Sequence, residues 1–160
     1  MIVVSLTVGY GYFEIRVQEV AANRPRFPDR HITVQQKKAL LVEIPKIRQE
    51  IGAKKLRVGA IEGDREGMHY AEEFLEIFAD LGLLDEEMHP KHSKGKRFPV
   101  PLNSYDPTMH GILIGVEDKE NPPADAQSLY SALWRSGLLP TFVDMDLAGD
   151  QLWIVVDQPP

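Results

Sequence analysis

Apolar residues recur at two different periods along this chain, and the changes of period mark alternating strands and helices. Two short apolar runs, Lys55–Ile61 and Ile112–Val116, are rich in β-branched residues, as buried strands are. Each run is followed by a polar turn and then by apolar residues at helical spacing, over residues 66–81 and 122–137. Asn121 is the expected N-cap of the second helix, and a glycine closes each helix. The pattern therefore predicts two strand-turn-helix units.

The two units match one another at a single shift of 55 residues. The apolar positions of the two predicted helices follow this shift, and so do the strand ends and helix ends. One shift for all three features predicts an internal repeat, over about residues 55–84 and 110–139, that arose by duplication. The clearest matches are Ala71 with Ala126, Gly82 with Gly137 and Glu62 with Glu117.

A helix before the repeat and two strands after it complete the predicted domain. Thr33 and Gln36 have the spacing of a capping box, and Pro45 should kink or split the helix that follows. The β-rich runs 141–143 and 152–156 flank turn-forming residues, which predicts a hairpin. The fold class expected is α/β: two related βα units on a partly parallel sheet, preceded by an N-terminal helix. The apolar stripe of that helix is Leu40, Ile44, Ile47 and Ile51.

The sequence divides into an apolar N-terminal segment (residues 1–20), a linker (21–32) and a single α/β domain (33–160). Residues 1–13 carry no charge but are too few to span a bilayer as a helix. Their alternation of apolar and polar residues suits a strand, whereas their tyrosines suit the aromatic belt of a truncated membrane helix. Both interpretations stay open. In either case the segment should insert in a membrane, pair with a sheet or be buried in an oligomer.

Composition and charge exclude several classes of protein. The 160 residues include no Cys, which rules out disulfide scaffolds, thiolate zinc sites and cysteine nucleophiles. The chain has 18 Lys and Arg against 24 Asp and Glu, a net charge of −6, which disfavours a general nucleic-acid surface. Positive charge is concentrated in the predicted loop 90–110, the expected contact for an anionic ligand, lipid headgroups or the acidic face of a second copy. The basic residues of that loop are Lys91, Lys94, Lys96 and Arg97.

The polar turns after the two predicted strands are the candidate ligand site. Ligands of open α/β sheets bind beyond the carboxyl ends of strands, where helix N-termini offer free N–H groups. Neither turn has the glycine-rich sequence of a phosphate-binding loop. We expect the turns to contact a small polar ligand or a protein partner, although helix capping alone also explains such carboxylates. The expected ligand-binding residues are Glu62, Gly63, Asp64, Arg65, Asp118 and Lys119.

The histidines are not expected to form a catalytic or metal site. His89 and His92 are three residues apart beside an acidic stretch, but Pro90 disfavours the helix that metal ligation there would need. Solvated loop histidines are the expected state. No catalytic residue, cofactor or metal ion is predicted from these residues.

Two acidic stretches suggest an alternative, enzymatic function. IEGDREG after the first strand and DMDLAGD after residues 141–143 resemble the Toprim pattern of metal-dependent topoisomerases, primases and related nucleases. The resemblance implies a Mg²⁺ site in which Glu62 is the acid/base and Asp144 and Asp146 are the metal ligands. It covers only these two stretches. A Mg²⁺-dependent phosphotransfer or nuclease domain is the function that it implies.

A longer series of motifs runs from residue 30 to residue 160. In order they are RHITVQQ, VGAIEGDREGMHYAEEF, GILIGV, PPADAQSLYSAL and LWIVV. This order resembles a family of uncharacterised bacterial proteins in which a membrane helix precedes a small α/β domain. The resemblance implies an architecture and a membrane tether, and it assigns no catalytic residue. The function expected is a non-enzymatic ligand-binding or sensory α/β module that self-associates, and a structural adaptor is a further hypothesis.

Overall fold

Three helices and five strands make up the part of the chain that the structure describes. The structure is a computed structural model, and it describes residues 30–52, 55–89, 96–102, 111–147 and 151–157. The helices are α1 (Val34–Ile51), α2 (Arg65–Asp80) and α3 (Ala124–Arg135). The strands are β1 (Lys55–Ile61), β2 (Val100–Leu102), β3 (Ile112–Val116), β4 (Pro140–Asp144) and β5 (Gln151–Val156). The predictions for residues 1–20, for linker residues 21–29, and for Lys91 and Lys94 lie outside the described residues.

The five strands form one mixed sheet in the order β2-β1-β5-β3-β4. β1 runs parallel to both β2 and β5, and β3 runs parallel to β4. The pairing of β5 with β3 is antiparallel. The predicted α/β class and partly parallel sheet are thereby confirmed. Because β1 and β3 run in opposite directions, their carboxyl ends lie at opposite ends of the sheet, which we call the Glu62 end and the Asp144 end.

The predicted hairpin of the last two strands is wrong. β3 lies between β4 and β5, so these two strands do not pair. β5 instead pairs with β1 on one side and with β3 on the other. All but the first residue of β5 are buried, so both faces of this strand are covered. A strand with two apolar faces is more stable at the centre of a sheet than in an edge hairpin.

The two βα units share backbone details at the shift of 55 residues. At the end of α2, Leu83 N donates to Phe78 O, and at the end of α3, Leu138 N donates to Leu133 O. Gly82 and Gly137, which close these helices, have φ of 65° and 77°, a left-handed conformation that glycine adopts without strain. The parallel pairing within each unit also has one sequence separation, 28 residues, between Leu56 and Leu84 and between Ile112 and Pro140, two pairs that a shift of 56 relates. These matches support two related units.

All three helices cover one face of the sheet. A single apolar cluster joins Leu40 and Ile44 of α1, Phe74 and Phe78 of α2, and Leu129 and Leu133 of α3 to the strands beneath. On the other face, no helix of the described residues is present. We call this the helix-free face, and its buried residues are Leu113, Val143, Trp153 and Val155.

The helix boundaries differ from the predicted ones at two places. α1 runs unbroken through Pro45, because Leu40, Ile44, Ile47 and Ile51 stay on one buried stripe across it. α3 begins at Ala124 with Pro123 at its N-cap, two residues later than predicted. No described helix is long and apolar enough to cross a bilayer.

Candidate functional site

The Glu62 end of the sheet gathers the carboxyl ends of β2, β1 and β5. The turn after β1 is closed by two backbone hydrogen bonds, from Glu62 N to Leu102 O (2.8 Å) and from Asp64 N to Ile61 O (3.1 Å). Gly63 has a φ of 85°, so the turn needs a residue that tolerates the left-handed region. The turn then leads directly into α2, whose first residues face the ends of the parallel strands.

The side chain of Arg30 lies at this end of the sheet. Its Nε and Nη2 atoms donate to Oε1 and Oε2 of Glu66, each at 2.7 Å, in a bidentate ion pair. Nη2 also donates to the backbone oxygen of Asp157, the residue after β5, at 2.6 Å. The guanidinium carbon lies 5.3 Å from the ring centroid of Tyr70. We call Arg30, Glu66, Tyr70 and Asp157 the Arg30 cluster.

Residues 30–32, the end of the predicted linker, are fixed along α2. Arg30 N donates to Glu66 Oε1 at 2.9 Å, and Ile32 N donates to Glu73 Oε2 at 2.5 Å. His31 Nδ1 lies 2.7 Å from Glu73 Oε1. Glu66, Tyr70 and Glu73 are spaced by four and three residues, so they share one face of the helix. The strap of residues 30–32 therefore joins α2 to the capping box of α1 at Thr33.

Burial and charge set the protonation of the Arg30 cluster. Burial opposes ionisation of Glu66, but the hydrogen bonds and charge of Arg30 outweigh it and hold the pKa of Glu66 below its usual value. Burial raises the pKa of Tyr70 to about 12, against the opposing charge of Arg30. Near neutral pH the cluster is thus an ionised carboxylate, a neutral phenol ring and a cation.

Asp64 adds a second carboxylate at the same end. It stands at the N-cap of α2, yet its side chain makes no capping hydrogen bond. Its Oδ2 atom is buried and has no hydrogen-bond partner in the described part of the chain. A Cβ at Gly67 would lie 2.3 Å from this oxygen, so glycine there makes room for the carboxylate. With the exposed Glu62 beside it, the Glu62 end is acidic.

The second predicted turn lies at the Asp144 end. Asp144 Oδ1 accepts from Lys119 N at 2.8 Å, and Asp144 Oδ2 lies 3.2 Å from Lys119 Nζ. Asp118 accepts from the side chain of Asn121 and from Glu120 N, each at 2.9 Å. The hydrogen bond from Asn121 has the larger effect, and together the two hydrogen bonds lower the pKa of Asp118. Asp118 is thus engaged within the turn, and Asp144 joins the end of β4 to the turn.

The structure does not bring the two turns together. Strand pairing places Asp144 level with Val116, then Leu152, then Leu56, at the start of β1. Glu62 follows Leu56 by six residues, about 20 Å along the strand direction. One ligand site cannot include both turns, and Glu62 cannot share a metal ion with Asp144 and Asp146. Within the described ranges, no group of three or more His, Asp or Glu side chains is placed to hold a metal ion.

No protein-family model, curated protein or solved structure matches the chain. The comparisons therefore show no family, and the function must be inferred from the chain's own contacts.

The predicted basic loop is only partly described. Arg97 Nε and Nη2 donate to Glu86 Oε2 and Oε1 at 2.9 and 2.7 Å, so this cation is already paired within the chain. Lys96 is exposed to solvent. An anion contact here would rest on lysines rather than on Arg97.

His89 is buried, which corrects the expectation of solvated loop histidines. Its Nε2 accepts from Val58 N at 3.2 Å, and its Nδ1 lies 3.0 Å from Phe98 O. Since a carbonyl only accepts, Nδ1 carries a proton. Since Nε2 accepts from the N–H of Val58, it carries none, and the ring is neutral. The imidazole fills a gap beside β1, between the bridge to Leu84 and the pairing with β2. Burial lowers the pKa of His89 and outweighs the bond to Phe98.

None of the four members of the Arg30 cluster is among the ligand-binding residues expected from the sequence. Arg30 falls in the predicted linker, Tyr70 reads as a core aromatic, and Asp157 follows a strand. The available signal was the spacing of Glu66, Tyr70 and Glu73 on one face of an amphipathic helix. That spacing marks a polar contact but does not identify a partner 36 residues earlier in the chain.

Proposed function

We propose that the chain is a non-enzymatic α/β binding module with a sensory role, and that its ligand carries a guanidinium or ammonium group. The site is the Glu62 end of the sheet, where ligands of open α/β sheets commonly bind. Its described side chains are mostly acidic, which favours a cationic group over the phosphate or carboxylate that helix N-termini otherwise attract.

The observation that carries the proposal is the set of contacts made by Arg30. A bidentate carboxylate, a backbone carbonyl and an aromatic face are the groups that proteins use to bind a planar cation. In this structure these three groups bind the guanidinium of Arg30, a side chain of the same chain. The exposed Glu62 lies at the same end and would receive the rest of a ligand.

The sensory role follows from where Arg30 lies in the chain. A ligand whose cation replaced Arg30 would also weaken the strap of residues 30–32, because Arg30 N and its guanidinium bind the same Glu66 carboxylate. Ligand binding would thereby be coupled to the position of the preceding N-terminal segment. Such coupling needs only that the ligand binds the state in which Arg30 has left Glu66 more tightly than the state in which Arg30 and Glu66 are paired.

Chemical complementation of an Arg30→Ala variant tests this proposal. Removing the side chain vacates the Glu66 carboxylate and the Tyr70 ring, so we expect ethylguanidinium to bind and to raise the midpoint of thermal unfolding in a saturable manner. Sodium chloride at equal ionic strength provides the reference. Wild-type protein should respond more weakly, because Arg30 competes for the same groups.

Two matched variants make the test specific. Arg65→Ala removes an exposed cation at the same end of the sheet and should give no such response. Arg30→Ala with Glu66→Gln should lose the response of the single variant. A response of Arg30→Ala no larger than that of Arg65→Ala would refute a cation site at this end.

A second observation favours self-association, which we propose as an additional property. The Trp134 ring on α3 is 55% exposed and stacks on Tyr130, which stacks on Phe142 of β4. Leu139, the residue before β4, is 71% exposed, and β4 has no outer neighbour among the described strands. An apolar strip along an open sheet edge is suited to pairing with a second copy.

Sedimentation velocity over a range of concentrations tests the association. Leu139→Lys with Trp134→Lys should shift the protein towards monomer. Met88→Lys provides the control, because the exposed Met88 lies next to His89, which binds β1, away from β4. Wild-type protein that stays monomeric at the highest concentration would contradict the proposal.

A further inference from the structure

The helix-free face is apolar and buried, although no described helix lies on it. Val155 and Leu113, in neighbouring central strands, are each 4% exposed, and Trp153 is 7% exposed. Leu102 and Met145 fold over the glycines of this face, since a Cβ on Gly59 or Gly115 would lie 2.6 or 2.3 Å from them. Those two side chains sit over β1 and β3, and the guanidinium of Arg57 lies 5.7 Å from the ring centroid of Trp153. On β5 these contacts leave Val155 to another partner.

We infer that the N-terminal residues 1–13 of the same chain cover the helix-free face in an extended conformation. Outside the described residues, this is the one uncharged stretch longer than four residues. The buried members of the face, Leu113, Val143, Trp153 and Val155, are likewise uncharged. The apolar segment and these apolar residues lower their free energy by excluding water from each other.

The point where the described chain begins makes the placement feasible. Arg30 is held at Asp157 O, beside the end of the central strand β5. Residues 14–29 extend to about 55 Å at most, which is far more than is needed to round the end of the sheet. Residues 1–13 extend to about 43 Å, and five strands at normal spacing span about 19 Å between the outermost axes. The segment is therefore long enough to cross the whole face.

The alternation within the segment gives it one apolar side. Positions 2, 4, 6, 8, 10 and 12 are Ile, Val, Leu, Val, Tyr and Tyr, whereas positions 5, 7, 9 and 11 are Ser, Thr, Gly and Gly. The alternation holds over residues 4–12, and Val3 and Phe13 on either side of this stretch depart from it. In an extended chain successive side chains point to opposite sides. The even positions would thus face the sheet, and the small odd positions would face solvent.

Tryptophan fluorescence tests the inference, because the chain has two tryptophans and one of them is on this face. In a Trp134→Phe background, Trp153 alone reports on the helix-free face. Leu6→Glu with Val8→Glu should raise the acrylamide quenching constant of Trp153 by about two- to threefold and shift its emission to the red, since the buried indole would become open to water. Ser5→Glu with Thr7→Glu, the matched change on the other side of the segment, should alter neither.

Three results would overturn the inference. Equal effects of the even and odd pairs would show that the segment does not present one side to the sheet. Quenching of the Trp134→Phe protein that depended on its concentration would assign the face to a second copy. Strong quenching in water that fell only on adding phosphatidylcholine vesicles would assign the segment to a membrane.

Discussion

Arg30 and His89 each use one polar side chain to join parts of the chain that are distant in sequence. Arg30 bridges α2 and the end of β5, and His89 bridges β1 and the residues before β2. Buried polar groups of this kind contribute little when satisfied but are costly when one partner is removed. Single substitutions at these residues should therefore have effects that can be measured and assigned.

Replacing Glu66 should destabilise the fold through the loss of the Arg30 ion pair. Both side chains are 20% exposed, and Glu66→Gln leaves the guanidinium without its bidentate partner. We expect the free energy of unfolding to fall by about 2 kcal/mol near neutral pH. Urea unfolding, monitored by circular dichroism, measures this change in the free energy of unfolding. Glu76→Gln, at an exposed position on the same helix, is the control.

The pH dependence of this difference is a separate prediction. Because the pKa of Glu66 is lowered in the folded state, its stabilising contribution is present above the ordinary value near 4.5. It is lost as the pH falls through the folded-state pKa. The gap between wild type and Glu66→Gln should therefore narrow below pH 4.5, and a gap that stayed constant to pH 3 would contradict the assignment.

Protonation of His89 should weaken the fold in mild acid. The folded state holds the ring neutral, because a proton on Nε2 would oppose the N–H of Val58. Its pKa is lowered, so the stabilising contribution is present above the ordinary value of 6.5 and declines as the pH falls below it. Leaving the Val58 N–H without an acceptor costs about 1–3 kcal/mol.

Equilibrium unfolding at pH 7.5 and pH 5.5 checks the role of His89. Wild-type protein should be less stable at the lower pH, and His89→Gln should be less stable at pH 7.5 but nearly insensitive to pH over this interval. His69→Gln changes an exposed histidine and should keep the wild-type pH dependence. The prediction fails if His89→Gln retains that dependence.

Among the elements, those defined by local patterns were predicted best. β1 and β3 have the predicted bounds, and α2 differs by one residue at each end, because apolar runs and glycine stops are properties of the local sequence. β2 was missed within the predicted loop, since its three residues include a proline and show no alternation. The prediction that β5 pairs with β4 was wrong, because pairing with strands far away in sequence leaves no local signal.

The matched glycines that end α2 and α3 should respond alike to substitution. Gly82→Ala and Gly137→Ala both force a Cβ into a left-handed conformation, and neither position is crowded. Each change should lower the free energy of unfolding by about 1 kcal/mol. The corresponding Asn variants should lose less, because Asn tolerates this conformation better. Thermal unfolding of the four variants tests whether the two units use the same helix stop.

At the scale of the whole molecule, the opposed directions of β1 and β3 separate the two candidate sites. Glu66→Gln at one end and Asp144→Asn at the other share no contact and no partner. Their effects on the free energy of unfolding should add to within about 0.5 kcal/mol in a double-mutant cycle. A larger coupling energy would mean that the two ends communicate through the sheet.

The candidate site was predictable only in part, for a reason that lies at this same scale. The turn Glu62–Arg65 was located correctly at a strand end, because the strand and helix on either side of it have clear local patterns. The other expected ligand-binding residues, Asp118 and Lys119, lie at the far end, since the sequence does not reveal that the second unit is reversed. Arg30 joins the site through contacts that depend on the complete fold.

The central position of β5 also has a consequence for biosynthesis. Both βα units precede β5 in the chain, and β5 supplies the pairing between them. A ribosome therefore makes both halves before the strand that connects them, and until then β1 and β3 each have an open edge with apolar residues beside it. Such intermediates are prone to aggregate. Slower translation of the codons just before β5 would lengthen this vulnerable period, so the yield of soluble protein should depend on the rate of elongation there.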